Sequence, residues 1–358
     1  MKNRGALSNP EGRFEKEKRE SFADGWYLDE EASMGDSIIP TTIIPEQAKS
    51  IISRNDSPDI SFRQSINPYR GCEHGCIYCY ARPAHAYMNL SPGLDFETKL
   101  FYKVNAAELL RQELSKPSYI CEPIILGANT DPYQPIESKL RITRSILEVL
   151  HQQQHPVAII TKSGLIERDM DILADMAKRQ LVHVAISVTT LNTDLKRLLE
   201  PRASAHQGRL RTIRRLSEAG ITVRVMAAPI IPMINDMELE DILELASQAG
   251  AQYASYILIR LPHEVKDLFK EWLETHYPQR ANHVMSLIQQ MRGGNDYDST
   301  FGTRMRGEGE FATLLAMRHK IACRRFNLST ASAPKLDTSL FCKPKKPSNQ
   351  LDLWENLP

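Results

Sequence analysis

Between residues 62 and 259, short apolar, β-rich runs alternate with helix-length amphipathic stretches, and this alternation restricts the chain to few architectures. The runs fall at 123–128, 157–161, 182–189, 222–228 and 254–259, and the amphipathic stretches at 106–114, 137–151, 167–179, 207–219 and 239–249. Continuous apolar strands separated by helices imply a parallel sheet covered on both faces. Gly220 and Gly250 stand where helix C-caps are expected. A first strand at 62–69, interrupted by Pro68, brings the total to six βα units. Six such units build either a doubly wound sheet or an incomplete TIM-like barrel, and pattern alone leaves both open.

Three segments follow from this reading. Residues 1–50 are polar, charge-mixed and without period, and form an irregular N-terminal arm docked through Trp26, Tyr27 and the Ile pairs at 38 and 43. Residues 51–262 carry the α/β core. Residues 263–358 form a C-terminal helical extension with helices over 264–272, 279–291 and 310–326, then an extended tail around Lys343. A hydrophobic content of 42% supplies a sizeable core, and a net charge of +1 gives no global electrostatic pull toward nucleic acid or membrane. No secretory h-region opens the chain, and the longest apolar run, around Val225, is too short to span a bilayer. Six cysteines in 358 residues suggest thiol chemistry in a reducing cytoplasm rather than a disulfide framework.

Cys72, Cys76 and Cys79 follow the first strand directly, spaced C-x3-C-x2-C, with no fourth cysteine nearby. Thiolates suit zinc, copper(I) or iron–sulfur clusters. A closed zinc site takes four protein ligands, and so does a fully capped cluster, so three ligands leave one metal position open for chemistry. Gly71 and Gly75 allow the backbone to bend the sulfurs toward one centre. The competing reading is a zinc knuckle with His74 as fourth ligand. Cys121, Cys323 and Cys342 lack C-x2-C spacing and give no second cluster.

The loop, with Tyr78 and Tyr80 flanking its third cysteine, resembles the radical S-adenosylmethionine (SAM) superfamily. The resemblance implies a partial TIM-like (β/α)6 barrel and a [4Fe-4S] cluster held on three irons. SAM chelates the fourth iron and is cleaved to a 5′-deoxyadenosyl radical that takes hydrogen from a substrate. It also implies a reductant protein such as flavodoxin or ferredoxin. Over residues 65–232 the chain is similar to the branch of spore photoproduct lyase and DNA repair photolyase-like proteins. That similarity is carried by Ser65-Ile66-Asn67-Pro68-Tyr69, Cys76-Ile77-Tyr78-Cys79-Tyr80, Asn129-Thr130-Asp131, Ile160-Thr161-Lys162, Ile186-Ser187-Val188, Leu199-Glu200-Pro201, Gly208-Arg209-Leu210 and Ala228-Pro229-Ile230.

The branch implies a tyrosine pair in radical transfer, matched here by Tyr78 and Tyr80. Its hydrogen-donor cysteine has no counterpart, since Ala128 or Asn129 stands there and Cys121 precedes the strand. Chemistry related to photoproduct repair, on another substrate, is expected. Similarity also implies that Thr130 and Asp131, with Asn129, meet the SAM amino group. Lys162 ends the next strand and is expected to pair with the SAM carboxylate, a charge-assisted contact. Ser187, with Thr189, is expected near the ribose. Two basic regions are weighed as phosphate contacts: the first reads foremost as a solvated helix face, and the second is the better candidate for substrate, against a mobile surface loop. One is the run Lys196, Arg197, Arg202, Arg209, Arg211, Arg214, Arg215, with Arg324 and Arg325. The other is the Gly- and Arg-rich loop 292–309 with Tyr297 and Phe301 interleaved.

The reading of function is a radical SAM enzyme with nucleic acid as the leading substrate class. Its rivals are a metal- or nucleic-acid-binding protein without turnover, and radical modification of protein or a small metabolite. No Walker A, G-x-G-x-x-G or H-E-x-x-H motif competes.

Overall fold

A computed structural model describes residues 4–14 and 39–344. Trp26, Tyr27 and Ile38, expected to dock the arm, and the end of the tail lie outside the described residues.

Six parallel strands form the sheet: β1 (Gln64–Ile66), β2 (Ile124–Leu126), β3 (Val157–Thr161), β4 (Val182–Ser187), β5 (Thr222–Ile230) and β6 (Tyr253–Leu258). They lie side by side in chain order, and Ile52–Arg54 adds an antiparallel strand outside β1. This order decides between the two architectures left open by the sequence. A doubly wound sheet reverses direction at a switch point. Here every crossover advances the same way, so right-handed connections put the helices on one side and the sheet curls as a partial barrel. The edges, β6 and Ile52–Arg54, are not paired with each other. The strand interiors are continuous apolar core; Ile124, Leu126, Val157, Ile159, Val223 and Val225 are all fully buried.

Most strand positions follow the apolar runs, and Gly220 and Gly250 close their helices at φ 77° and 97°. Four expectations need correction. The strand at 62–69 is broken: after Asn67-Pro68 the chain leaves the sheet, and Tyr69–Arg70 pairs instead with Lys99–Lys103, because proline cannot continue a ladder. Within the stretch expected to be irregular, Thr42–Glu46 pairs in parallel with that same Lys99–Lys103 strand. The single helix at 137–151 is two, Glu137–Leu140 and Ile142–Gln152, separated by Arg141 at φ 54°. The Glu137 carboxylate accepts from the amides of Thr143 (3.0 Å) and Arg144 (3.3 Å), satisfying the first donors of the second helix. The fourth is a short helix, Thr193–Leu199, that the periodicity did not reveal. Asn192 caps it by accepting from Asp194 and Leu195 amides at 2.9 and 3.0 Å.

The C-terminal helices Val265–His276 and Ala281–Gln290 add to the β6 side, and Trp272 reaches back to donate to the Leu198 carbonyl at 3.2 Å. The last helix, Gly309–Arg325, leads into an extended segment that crosses the N-terminal ends of the strands. It touches Gln252, Gln180 and Gln153 through backbone bonds at Ser329, Asp337 and Cys342. That end of the barrel is thereby covered, and the C-terminal ends of the strands remain for the site. Among the described residues no helix is long and apolar enough to cross a membrane.

Candidate active site

The cysteine loop sits beyond β1, at the C-terminal ends of the strands, where βα proteins place chemistry. Cys72 and Cys76 are buried, Cys79 is partly so, and all three are free thiols. Burial is the main force pushing all three thiols up. They therefore keep their protons until a metal displaces them.

Buried charge holds the loop in shape. Arg82 is fully buried and spends all five donors: on the carbonyls of Cys76 (2.9 Å), Pro92 (3.0 Å), Gly93 (2.9 Å) and Gly75 (3.2 Å), and on Glu97 at 2.5 Å. Glu97, also fully buried, accepts from the amides of Gly5 (2.9 Å) and Ala6 (2.8 Å). The arm thus docks through its first described residues and clamps the loop from outside. Gly75, at φ 65°, has no room for a Cβ, which would meet the Glu97 carboxylate at 2.6 Å. Gln134 ties the loop to the turn after β2, accepting from Glu73 N (2.9 Å) and donating to Gly71 O (3.2 Å).

A second buried carboxylate organises the opposite wall. Glu200, delivered by the Asn192-capped helix, accepts from Tyr78 and Arg209, and lies 2.6 Å from Thr189 Oγ1 and 3.1 Å from Lys162 Nζ. Burial pushes its carboxyl up, but Arg209 and Lys162 outweigh this and hold it well below the usual range. Lys162 is an internal lysine: its ammonium also contacts Thr189 Oγ1 and the Ala228 carbonyl, both at 3.2 Å, and lies 5.7 Å from the centre of the Tyr78 ring. Ser187 is buried at the end of β4, and its carbonyl accepts from Arg209 at 2.9 Å.

Asn129-Thr130-Asp131 divides between two environments. Asn129 and Thr130 line a cavity of about 210 Å³ with Asn67, Gly71 and His85. The Thr130 hydroxyl donates to Tyr69 O at 3.0 Å. Asp131 faces inward and accepts from Thr161 Oγ1 (2.7 Å), Tyr133 N (2.8 Å) and Lys162 N (2.8 Å), with His74 Nδ1 at 3.4 Å. Its four acceptor positions are therefore filled within the protein. Tyr78 is buried against Glu200, whereas Tyr80 is 45% exposed and its hydroxyl donates to the Ala128 carbonyl. Cys121 lies before β2, at the far end of the strand from the cysteine loop.

In both basic regions some of the cations are engaged within the protein, while Arg211, Arg214 and Arg215 lie exposed on a helix face. In the first run Arg209 is buried on Glu200, Lys196 donates to Pro201 O at 3.1 Å, Arg202 pairs with Glu73 at 3.0 Å and Arg215 pairs with Glu167. Those contacts carry structure. In the loop 292–309, Arg292 is buried on the carbonyls of Ile259 (2.9 Å) and Thr303 (3.0 Å), and Arg304 grips Asp59 with two bonds of 2.6 and 2.7 Å. Arg82, Glu97 and Glu200 were not assigned roles from sequence. Glu200 and Arg209 sat inside the recognised fragments, while Arg82 and Glu97 carried no motif at all.

The donor set suits a cluster. A single zinc needs its ligands to converge on one point, whereas a [4Fe-4S] cluster gives each cysteine its own iron. His74, the fourth ligand of the zinc reading, is turned to Asp131.

The sequence profile of the radical SAM superfamily matches residues 66–246, just over half of the chain. A protein of Mycobacterium tuberculosis (strain H37Rv) is 35% identical over 232 residues, covering 64% of this chain and 68% of that protein. One from Methanocaldococcus jannaschii is 28% identical over 237 residues, covering 66% and 84%. Among solved structures, spore photoproduct lyase complexed with dinucleoside spore photoproduct superposes with a TM-score of 0.56 at 16% identity, covering 79% of each chain. At that identity the likeness is one of fold. A family match across the whole cysteine loop and the four barrel strands that follow it, β2 to β5, on a barrel of the same architecture, has one consequence: this chain belongs to the radical SAM superfamily.

Proposed function

We propose that this chain is an enzyme that binds a [4Fe-4S] cluster through Cys72, Cys76 and Cys79 and acts on nucleic acid. One observation carries the cluster assignment: three grouped free thiols in a loop whose backbone is fixed by the fully buried Arg82–Glu97 pair. When bound, such a cluster supplies one electron to SAM, and the resulting 5′-deoxyadenosyl radical takes hydrogen from the substrate. The family implies both groups; flavodoxin or ferredoxin would supply the electron.

The chain's own residues then have distinct tasks. Asn129 and Thr130, on the cavity beside Gly71, receive the SAM amino group, and Asp131 fixes them from behind by tying that turn to Thr161 and Lys162. Glu200 sets one negative charge against Lys162 and Arg209, so this wall keeps one positive charge in excess for the SAM carboxylate. Ser187 and Thr189 line the route to the ribose. Tyr78 and Tyr80 relay hydrogen or radical density; Tyr80, the exposed one, meets substrate. Nucleic acid is supported by the shared fold with spore photoproduct lyase, whose solved complexes hold dinucleoside spore photoproduct. A donor cysteine at the end of β2 is missing here, so the reaction outcome differs from that repair. Cysteines kept as thiols, as a cluster needs them, support a reducing cytoplasm as its setting.

Anaerobic reconstitution tests this reading. The wild type should take up iron and sulfide and, with SAM and reductant, form 5′-deoxyadenosine; Cys76→Ala should lose both. Unchanged iron content and turnover in that variant, or zinc in place of iron in anoxic wild-type protein, reject it.

A further inference from the structure

Arg260 lies two residues beyond β6, at the mouth of the barrel, and among the described residues no carboxylate is paired with it. Its Nε is buried with no hydrogen-bond partner. One terminal nitrogen reaches only the thioether of Met305 at 3.5 Å, and the other the Tyr297 hydroxyl at 3.3 Å. Among the described residues no carboxylate stands within 4.0 Å of it, unlike Arg82, Arg144, Arg168, Arg209, Arg304 and Arg318. A buried charged donor without a partner is costly, so its presence in a folded protein calls for a partner that arrives. Arg292, beside it, spends its donors on carbonyls, and Asp298 is the carboxylate that offsets its charge, leaving Arg260 without one.

The surroundings specify what arrives. The Arg260 guanidinium lies 5.5 Å from the centre of the Tyr80 ring, and Tyr80 directly follows Cys79. Tyr80 is exposed on this side, and Tyr297 closes the other. A planar five-donor fork matches an oxyanion in bidentate fashion, and the flanking aromatic rings offer faces on which bases stack. SAM's own carboxylate has the excess charge at Lys162 and Arg209 to meet. We propose that Arg260, with Tyr80 and Tyr297, forms a subsite for a backbone phosphate of a single-stranded or unstacked nucleotide in the substrate. The inference rests on the proposed function and names the group by which substrate is held next to the cysteine loop.

The test uses the full reconstituted chain and a fluorescein-labelled single-stranded oligothymidylate, with anisotropy followed across a salt titration. Arg260→Gln should weaken binding about tenfold at low salt and flatten the slope of log affinity against log salt by about 0.7, one phosphate's share on a single strand. Arg260→Lys should keep the slope, since the charge remains, while losing part of the affinity with the fork. Wild-type affinity and slope in Arg260→Gln would overturn the proposal. So would a weakened SAM affinity in that variant with oligonucleotide binding intact, which would assign Arg260 to the SAM carboxylate. If the wild type forms 5′-deoxyadenosine yet binds no oligonucleotide, the subsite fails and the radical SAM reading stands. Oligonucleotide binding that depends on Arg260, without 5′-deoxyadenosine from the wild type, supports the subsite and sinks the parent reading.

Discussion

Two loops frame the mouth of this barrel, and they are built on opposite plans. The cysteine loop is fastened from beneath by side chains with no exposure at all, Arg82 and Glu97, with Glu200 and Arg209 behind Tyr78. The loop 292–309 has one buried tie, Arg292 on the Ile259 and Thr303 carbonyls, and is otherwise fastened at the rim. Arg304 holds Asp59 near one edge of the sheet, and the neighbouring Met305 carbonyl accepts from Leu258 N at 3.0 Å on the other edge. Adjacent residues thus span the gap that leaves the barrel incomplete. Buried pairs of charges are poor sources of net stability, yet breaking one is expensive because its partner is stranded. Chains keep them where geometry must not drift. The cysteine loop has to present three sulfurs at fixed points, and a strap over the substrate side has no such requirement.

The largest effect on this contrast should come from Glu97→Ala. It strands Arg82 and releases the amides of Gly5 and Ala6 together, so a loss of about 3–5 kcal/mol is expected. Thermal melting of the anaerobic apo-protein measures it, and iron retention after gel filtration should fall in parallel. A variant that melts with the wild type would show that the loop is held by something else.

Glu200→Gln should cost less, because glutamine still accepts from Tyr78 and Thr189. Its signature lies in pH. The Glu200 carboxyl is held below its ordinary value in the folded chain, so its ionisation favours folding. That contribution is complete above pH about 4.5, the ordinary glutamate value, and diminishes as pH falls below it. The gap in melting temperature between wild type and Glu200→Gln should therefore be widest at neutral pH and shrink on acidification. A constant gap would remove Glu200 from the electrostatics of the wall.

The same contrast explains what the sequence disclosed. Apolar period and glycine C-caps exposed the core strands, because a parallel sheet buried on both faces has no polar alternation to confuse the pattern. The cysteine spacing exposed the metal loop, since ligands must lie close together in the chain to share one centre. Arg82 and Glu97 gave no signal: fifteen residues apart in one loop region, they look like ordinary surface charges until the fold buries them. Glu200 was visible only as part of a familiar tripeptide. Its role depends on Lys162 arriving from the preceding βα unit, a long-range fact that no local window contains, and on Arg209 turning inward from the next helix of the same connection. Arg209 likewise turns inward from a helix whose other arginines, 211, 214 and 215, stay exposed. Arg260 was invisible for the opposite reason, since an absent partner cannot be read from a string of residues.

The strap offers the smallest effect and the sharpest test of the contrast. Arg304 and Asp59 are each about a tenth exposed, at 13% and 10% of their side-chain area, and they meet at the rim rather than within the core. Arg304 also lies over the Phe301 ring, 4.8 Å from its centre. A rim pair of this kind contributes under about 1 kcal/mol, because solvent screens it and ordering two long side chains opposes it. Arg304→Ala should thus leave the melting temperature and cluster content close to wild type. What should change is local opening: with the Arg304 side chain gone, the segment around Gly302 keeps the Gly302 amide bond to Asp59, the Arg292 bond to the Thr303 carbonyl and the tie to β6, and limited proteolysis there should accelerate while the core digests at its former rate. Asp59→Asn, which keeps the shape and removes the charge, should fall between the two. If either substitution lowers cluster content as far as Glu97→Ala does, the strap and the cysteine loop are one mechanical unit, and the division between a rigid wall and a peripheral cover is wrong.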